Sequence, residues 1–133
     1  MKIGKPRSAK GLAVFCAKLA EEKIASDIIL MSLEDIETAP ADYFVIATCN
    51  SDMQISAIID LFKDVSSNLG MKKPRIEGTE NMQWVLIDYF DVILHLMLPE
   101  VREYYHLEKL WGDAKFMQLS KSGSAVSLKR NVQ

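Results

Sequence analysis

The sequence predicts an α/β fold, a mixed β-sheet flanked by helices, on three observations. Two stretches, 8–23 and 51–69, repeat apolar residues at helical spacing. Shorter runs at 28–31, 43–48 and 84–98 are dense in aliphatic and β-branched residues, as strands are. The connections differ in kind. One pair of strands is separated by a three-residue turn and another by a long helix, so both antiparallel and parallel pairing are expected. At 133 residues the chain reads as one domain large enough to bury a core. No apolar stretch approaches the roughly 20 residues that span a membrane, so no membrane partner is expected.

Taken in order, residues 1–9 form a basic N-terminal segment. No apolar signal core follows it, so secretion is not expected and a cytoplasmic location is. Ser8 can cap the first helix, whose face is Leu12, Phe15, Cys16 and Leu19. Ile28 to Met31 is continuously apolar, as in a strand covered on both sides. Pro40 and scattered acids mark the next segment as loop, and Tyr43 to Thr48 is the second strand. In the 51–69 helix, Ile55, Ile58, Ile59, Phe62, Val65 and Leu69 make one face. Ser51 and Gln54 stand three apart, as in a capping box, and Gly70 is a natural stop. Residues 71–83 read as loop. Two strands then meet at a turn of Tyr89, Phe90 and Asp91, and Pro99 suits the first turn of a helix over 100–111. Residues 116–133, rich in Ser, Gly, Lys and Asn from Ser120 onward, read as a disordered basic tail.

Charge is unevenly spread. Residues 1–10 carry four Lys or Arg and no acid, and residues 114–133 carry another four and no acid. The segment 11–113 therefore holds eight bases against eighteen acids, a net charge of −10. Such a body repels bare phosphate backbone and suits a basic protein partner. Any contact with nucleic acid falls to the basic tails.

Residues 41–54, ADYFVIATCNSDMQ, end a strand in small polar residues at a helix start, where many proteins bind phosphate. This stretch has no glycine-rich fingerprint, and no Lys or Arg occurs from 24 to 62. Ser51 is better explained as a cap. His95 and His106 are the only histidines and have no metal-ligand spacing, so no metal or cofactor is expected. Cys16 and Cys49 lie far apart without a C-x-x-C, as free thiols do. Asp88 and Asp91 straddle a turn, where Asp is favoured for its own sake. His95, on the same strand face as Ile93 and Met97, reads either as a satisfied core histidine or as part of a contact surface. In the second case Trp84, Tyr89, Met97, Tyr104, Tyr105 and Trp111 become an aromatic and methionine set of the kind enriched at protein interfaces. If the hairpin closes at 89–91, Trp84 lies beside Met97 at a sheet margin, as an interface anchor or as core.

Three motifs carry a resemblance: DYFVIATCNSD at 42–52, WVLIDYFDVILH at 84–95 and YYHLEKLWGD at 104–113. In that order they resemble the Iojap family, the ribosomal silencing factors of bacteria and organelles. The resemblance implies a nucleotidyltransferase-like fold without the transferase. Active members of that superfamily carry a Gly-Ser turn and a nearby Asp-x-Asp. Here the turn reads Cys49-Asn50-Ser51, and Asp88 and Asp91 lie far downstream. The implied role is not enzymatic: the family binds the fourteenth protein of the large ribosomal subunit, blocks subunit joining and represses translation when nutrients are short. A residual nucleotide-handling enzyme is the alternative. Carried over by motif, the contact candidates are Trp84, Asp88, Tyr89, His95, Met97, Glu100, Arg102 and Tyr105. A homodimer when free stays open. Family members commonly have Gly where Cys49 and Phe90 stand, so Phe90 places a bulky residue where the turn favours a positive φ.

Overall fold

A computed structural model describes residues 4–128. Its order is α1 (Ala9–Glu22), β1 (Ser26–Ser32), β2 (Tyr43–Thr48), α2 (Asp52–Asn68), β3 (Arg75–Glu77), β4 (Trp84–Asp88), β5 (Val92–Met97), α3 (Pro99–Tyr105), α4 (Leu107–Leu110), β6 (Lys115–Leu119) and β7 (Ala125–Ser127). The strands form one sheet in the order β3-β4-β5-β2-β1-β6-β7. β2 and β5 pair in parallel, from Tyr43 opposite Val92 to Thr48 opposite Met97, and the other pairs are antiparallel. The mixed sheet expected from the two kinds of connection is therefore present.

Strand periodicity of two divides the core. Leu30, Val45, Val85, Ile87, Val92, Leu94 and Leu96 pack with Phe15, Leu19, Ile55, Ile58 and Phe62 of α1 and α2. Ile29, Met31, Phe44, Ile46, Met97 and Phe116 pack on the opposite side with Leu107 of α4 and the loop after β1. β1 thus serves both cores, as its unbroken apolar run implied.

The helix ends follow their capping residues. The Ser8 hydroxyl accepts from the Gly11 N–H at 2.9 Å and the Ser51 hydroxyl from the Gln54 N–H at 3.1 Å. The return half of the capping box is displaced by one residue: Gln54 Oε1 accepts from the Asn50 N–H, not from Ser51. Its amide nitrogen donates to the Lys23 carbonyl, tying the start of α2 to the end of α1. Gly70, at φ +68°, closes α2.

Three expectations need correction. The loop 71–83 contains β3, an edge strand of three residues, too short to show a period. The helix over 100–111 is two helices. His106 adopts a left-handed backbone, φ 50°, between α3 and α4, a stop that no Gly or Pro announces. The tail 116–133 is not disordered where it is described: β6 pairs with β1, and β7 folds back on β6 around Gly123 at φ +87°. Ser120 Oγ accepts from the Ser124 N–H in that turn. The Ser-Gly run is hairpin turn chemistry, and the buried Phe116 supplies the packing that a composition count overlooks. The outer parts of both basic tails, 1–3 and 129–133 with Lys129 and Arg130, lie outside the described residues.

Candidate protein-binding face

The side of the sheet under α3 and α4 is where the aromatic residues gather. Trp84 opens β4 and stands opposite Met97 in register. Gly78 makes this start possible. At φ +90° it lies so close that a Cβ would collide with the Trp84 carbonyl oxygen. The half-buried indole donates its N–H to His95 Nδ1 at 3.1 Å. Rings then follow one another across the face. Centroids are 5.0 Å apart for Tyr104 and Tyr105, 4.9 Å for Tyr105 and Trp84, and 6.0 Å for Trp84 and His95. The row continues from His95 to Phe44 at 4.5 Å and from Phe44 to Trp111 at 6.0 Å. His95 and Phe44 within the row are buried, while Tyr104 is 81% exposed and Tyr105 54%; Leu110 of α4 is also exposed, at 70%.

Burial pushes the His95 imidazole down to about 3, so it is neutral in the fold. Because Nδ1 accepts the indole proton, the imidazole proton is assigned to Nε2, which is buried with no hydrogen-bond partner among the described residues. His95 is thus the core histidine of the two readings, half satisfied by Trp84.

Arg102 fastens the cover down. Its Nη1 donates to the Asp27 carbonyl at 2.6 Å and to Thr48 Oγ1 at 2.8 Å, and Nη2 pairs with Glu108 Oε2 at 3.0 Å. One buried guanidinium therefore joins α3 and α4 to the ends of β1 and β2. Asp27 has a left-handed backbone, φ 52°, within a register shift of β1.

The eight candidates separate. Trp84, His95, Met97 and Tyr105 come together, with exposed Glu100 on the first turn of α3. Within that group Met97 and His95 are buried, as is Arg102, so they can only support a contact surface from behind. Asp88 shares a face of β4 with Trp84 but lies four residues away, roughly 13 Å. Its carboxylate accepts from the Phe90 N–H at 2.7 Å. Tyr89 points to the other core, against Phe15 and Phe62, where its hydroxyl and that of Ser66 are 2.6 Å apart. Leu110 escaped sequence reading because it stands three residues after buried Leu107, a spacing that usually shares a face. α4 is a single turn, and Leu110 points outward.

The turn at 48–51 is occupied by the fold itself. Thr48 accepts from Arg102, the Cys49 N–H donates to the Met97 carbonyl, and Ser51 caps α2. Burial raises the Cys49 thiol to about 11. Among the described residues no group of three or more His, Cys, Asp or Glu is placed to hold a metal ion, and no helix is long and apolar enough to cross a membrane.

The family model described as "Ribosomal silencing factor during starvation" matches residues 6–132. A ribosomal silencing factor of Bacillus subtilis is 39% identical over 110 residues, which are 83% of this chain and 92% of that protein. A mouse protein named for mitochondrial assembly of the ribosomal large subunit is 33% identical over 96 residues, 70% of this chain and 42% of its own length. A crystal structure of a Chromobacterium violaceum protein superposes with a TM-score of 0.73 at 30% identity, over 80% of this chain and 88% of that one. The aromatic face and its scaffold therefore sit in a chain that belongs to the ribosomal silencing factor family.

Proposed function

We propose that this protein docks on the large ribosomal subunit through the Tyr104–Tyr105–Trp84 face, against its fourteenth protein, and sterically blocks subunit joining. The role needs no reaction at a bound substrate. The observation that carries it is the row of contacting rings that emerges from the core at Tyr105 and Tyr104. Large rings already held by neighbours lose little conformational freedom on binding, the property of interface anchors. Glu100 and Glu103 border them on α3, which suits the basic surface of a ribosomal protein. The mouse relative's name also points to the large subunit.

Co-sedimentation with purified large subunits tests the reading. Tyr104→Ala and Tyr105→Ala should leave the fold intact while weakening binding by about 2 kcal/mol or more together, roughly thirtyfold. Light scattering of subunit mixtures should show joining restored in step. Normal binding by the folded double variant would remove this face from the docking site.

A further inference from the structure

Half of the cations of the body gather at the other end of β4. Four of the eight bases in 11–113 are Lys63, Lys72, Lys73 and Arg75, all exposed, on the end of α2 and the segment leading into β3. They line adjoining clefts. One of about 260 Å³ is bounded by Lys72, Lys73, Arg75, Asp88, Tyr89 and Phe90. A second of about 280 Å³ shares Lys72 and Tyr89 with it and adds Lys5 and Arg7 from the segment before α1. A third of about 370 Å³ shares Lys73 and adds Lys63, Ser66 and Ser67. Shared walls make a continuous cationic track, longer than one phosphate needs. Acids border it as well, and on its far side Phe90 and Asp91 wall a cleft that also holds Glu34, Glu37 and Asp42. Asp88 is turned onto the Phe90 N–H, and Asp91 lines the second cleft. Arg75 pairs with exposed Glu77 at 3.2 Å, whereas among the described residues neither Lys72 nor Lys73 is in an ion pair.

Phe90 is the second observation. It forms a wall of the first cleft, yet its side chain is 83% exposed. It also holds a left-handed backbone, φ 76°, which disfavours any residue with a Cβ. A strained, exposed aromatic ring beside three cations is poor packing. It is a good platform for a nucleobase whose phosphates the cations hold. A duplex buries its base faces and could use the cations only.

We propose that the Lys5–Lys72–Lys73–Arg75 track with Phe90 is a binding site for single-stranded RNA, with phosphates on the cations and an unpaired base on the Phe90 ring. The site is separate from the docking face, because Asp88 and Trp84 lie at opposite ends of β4, and the inference does not depend on that face. On a ribosome it would take an exposed single-stranded segment of ribosomal RNA.

Fluorescence anisotropy of a labelled eight-nucleotide oligouridylate with the full chain tests it. Binding should weaken as salt rises, with log K falling by about 0.7 per phosphate contacted, a slope of roughly −2 to −4 for three to five contacts. Lys72→Glu with Lys73→Glu should reduce affinity at least tenfold and flatten the slope. Phe90→Ala should reduce it roughly fivefold or more with the slope unchanged, since it removes stacking and no charge. Circular dichroism checks that these exposed substitutions leave the fold intact. Absence of binding at low salt, or indifference to the lysine pair, overturns the site. A duplex of equal length bound as well as oligouridylate, with Phe90→Ala silent, overturns the assignment to single strands.

Discussion

The two sides of the sheet are built from different materials. Under α1 and α2 the packing is mainly aliphatic, with Phe15, Phe62 and Tyr89 edge-on or tilted within it, beneath helices of 14 and 17 residues. Under α3 and α4 the covering helices have 7 and 4 residues, and buried among apolar groups are His95, Arg102 and Glu108. A long amphipathic helix can seal a sheet face with apolar area alone. Two short helices cannot, and here a buried ion pair and an indole–imidazole hydrogen bond hold the cover in place. What the second side gives up in sealing leaves aromatic surface open to a partner. The first side carries stability, and the second exposes the aromatic surface proposed for docking.

The comparison breaks most visibly if one large substitution is made on each side. Phe62→Ala should cost about 3–5 kcal/mol as a cavity in the aliphatic core. Arg102→Ala should cost a similar amount for another reason, since it leaves the Glu108 carboxylate buried without its guanidinium. The reasons separate on repair. Arg102→Leu with Glu108→Leu should recover part of the loss, because two apolar groups need no partner. Urea midpoints measure all three, and a double variant no better than Arg102→Ala would mean the ion pair is not what fastens the cover.

A pH series sharpens the same contrast. His95 is neutral in the fold down to about pH 3, whereas in the unfolded chain it takes a proton below about 6.5. Between those values the unfolded state binds more protons, so His95 makes stability fall as pH falls. The contribution reaches up to about 1.4 kcal/mol per pH unit. Carboxylates act on the acid limb too, so the informative quantity is the difference from His95→Leu, whose stability should fall less steeply over this window. Parallel curves would place His95 in contact with solvent.

The smallest expected effect is at the turn between the β4 and β5 strands. Phe90→Gly relieves a left-handed backbone at a residue whose ring packs little, and should stabilise by about 1 kcal/mol. That raises the melting temperature by roughly 3–5 °C. A lower melting temperature would show that the Phe90 ring contributes packing and is not held outward at a cost.

Much of this was legible from local pattern. Two apolar runs joined at Tyr89-Phe90-Asp91 predict the hairpin, and the hairpin predicts Trp84 beside Met97, as the register has it. Ser8 and Ser51 announce their helices, and the three family motifs announce the family. The site was less legible because candidates adjacent in sequence diverge in space. Asp88 and Tyr89 are neighbours in the chain, but Asp88 turns to its own hairpin and Tyr89 enters the opposite core. Arg102 resembles a surface contact until its three partners are known, and two of them, Asp27 and Thr48, lie more than fifty residues away.

By itself the sequence determined four of the strands (β1, β2, β4 and β5), the two long helices, their caps and the family, because each rests on interactions within a few residues or on motifs read in line. Only the tertiary structure decided which aromatic residues reach the surface and that His95 and Arg102 are buried. It alone brought β6 into the sheet beside β1 and drew Lys5 and Lys72 to one cleft. Those outcomes depend on which face of the sheet a residue meets and on what distant segment covers it, and neither is encoded in local periodicity.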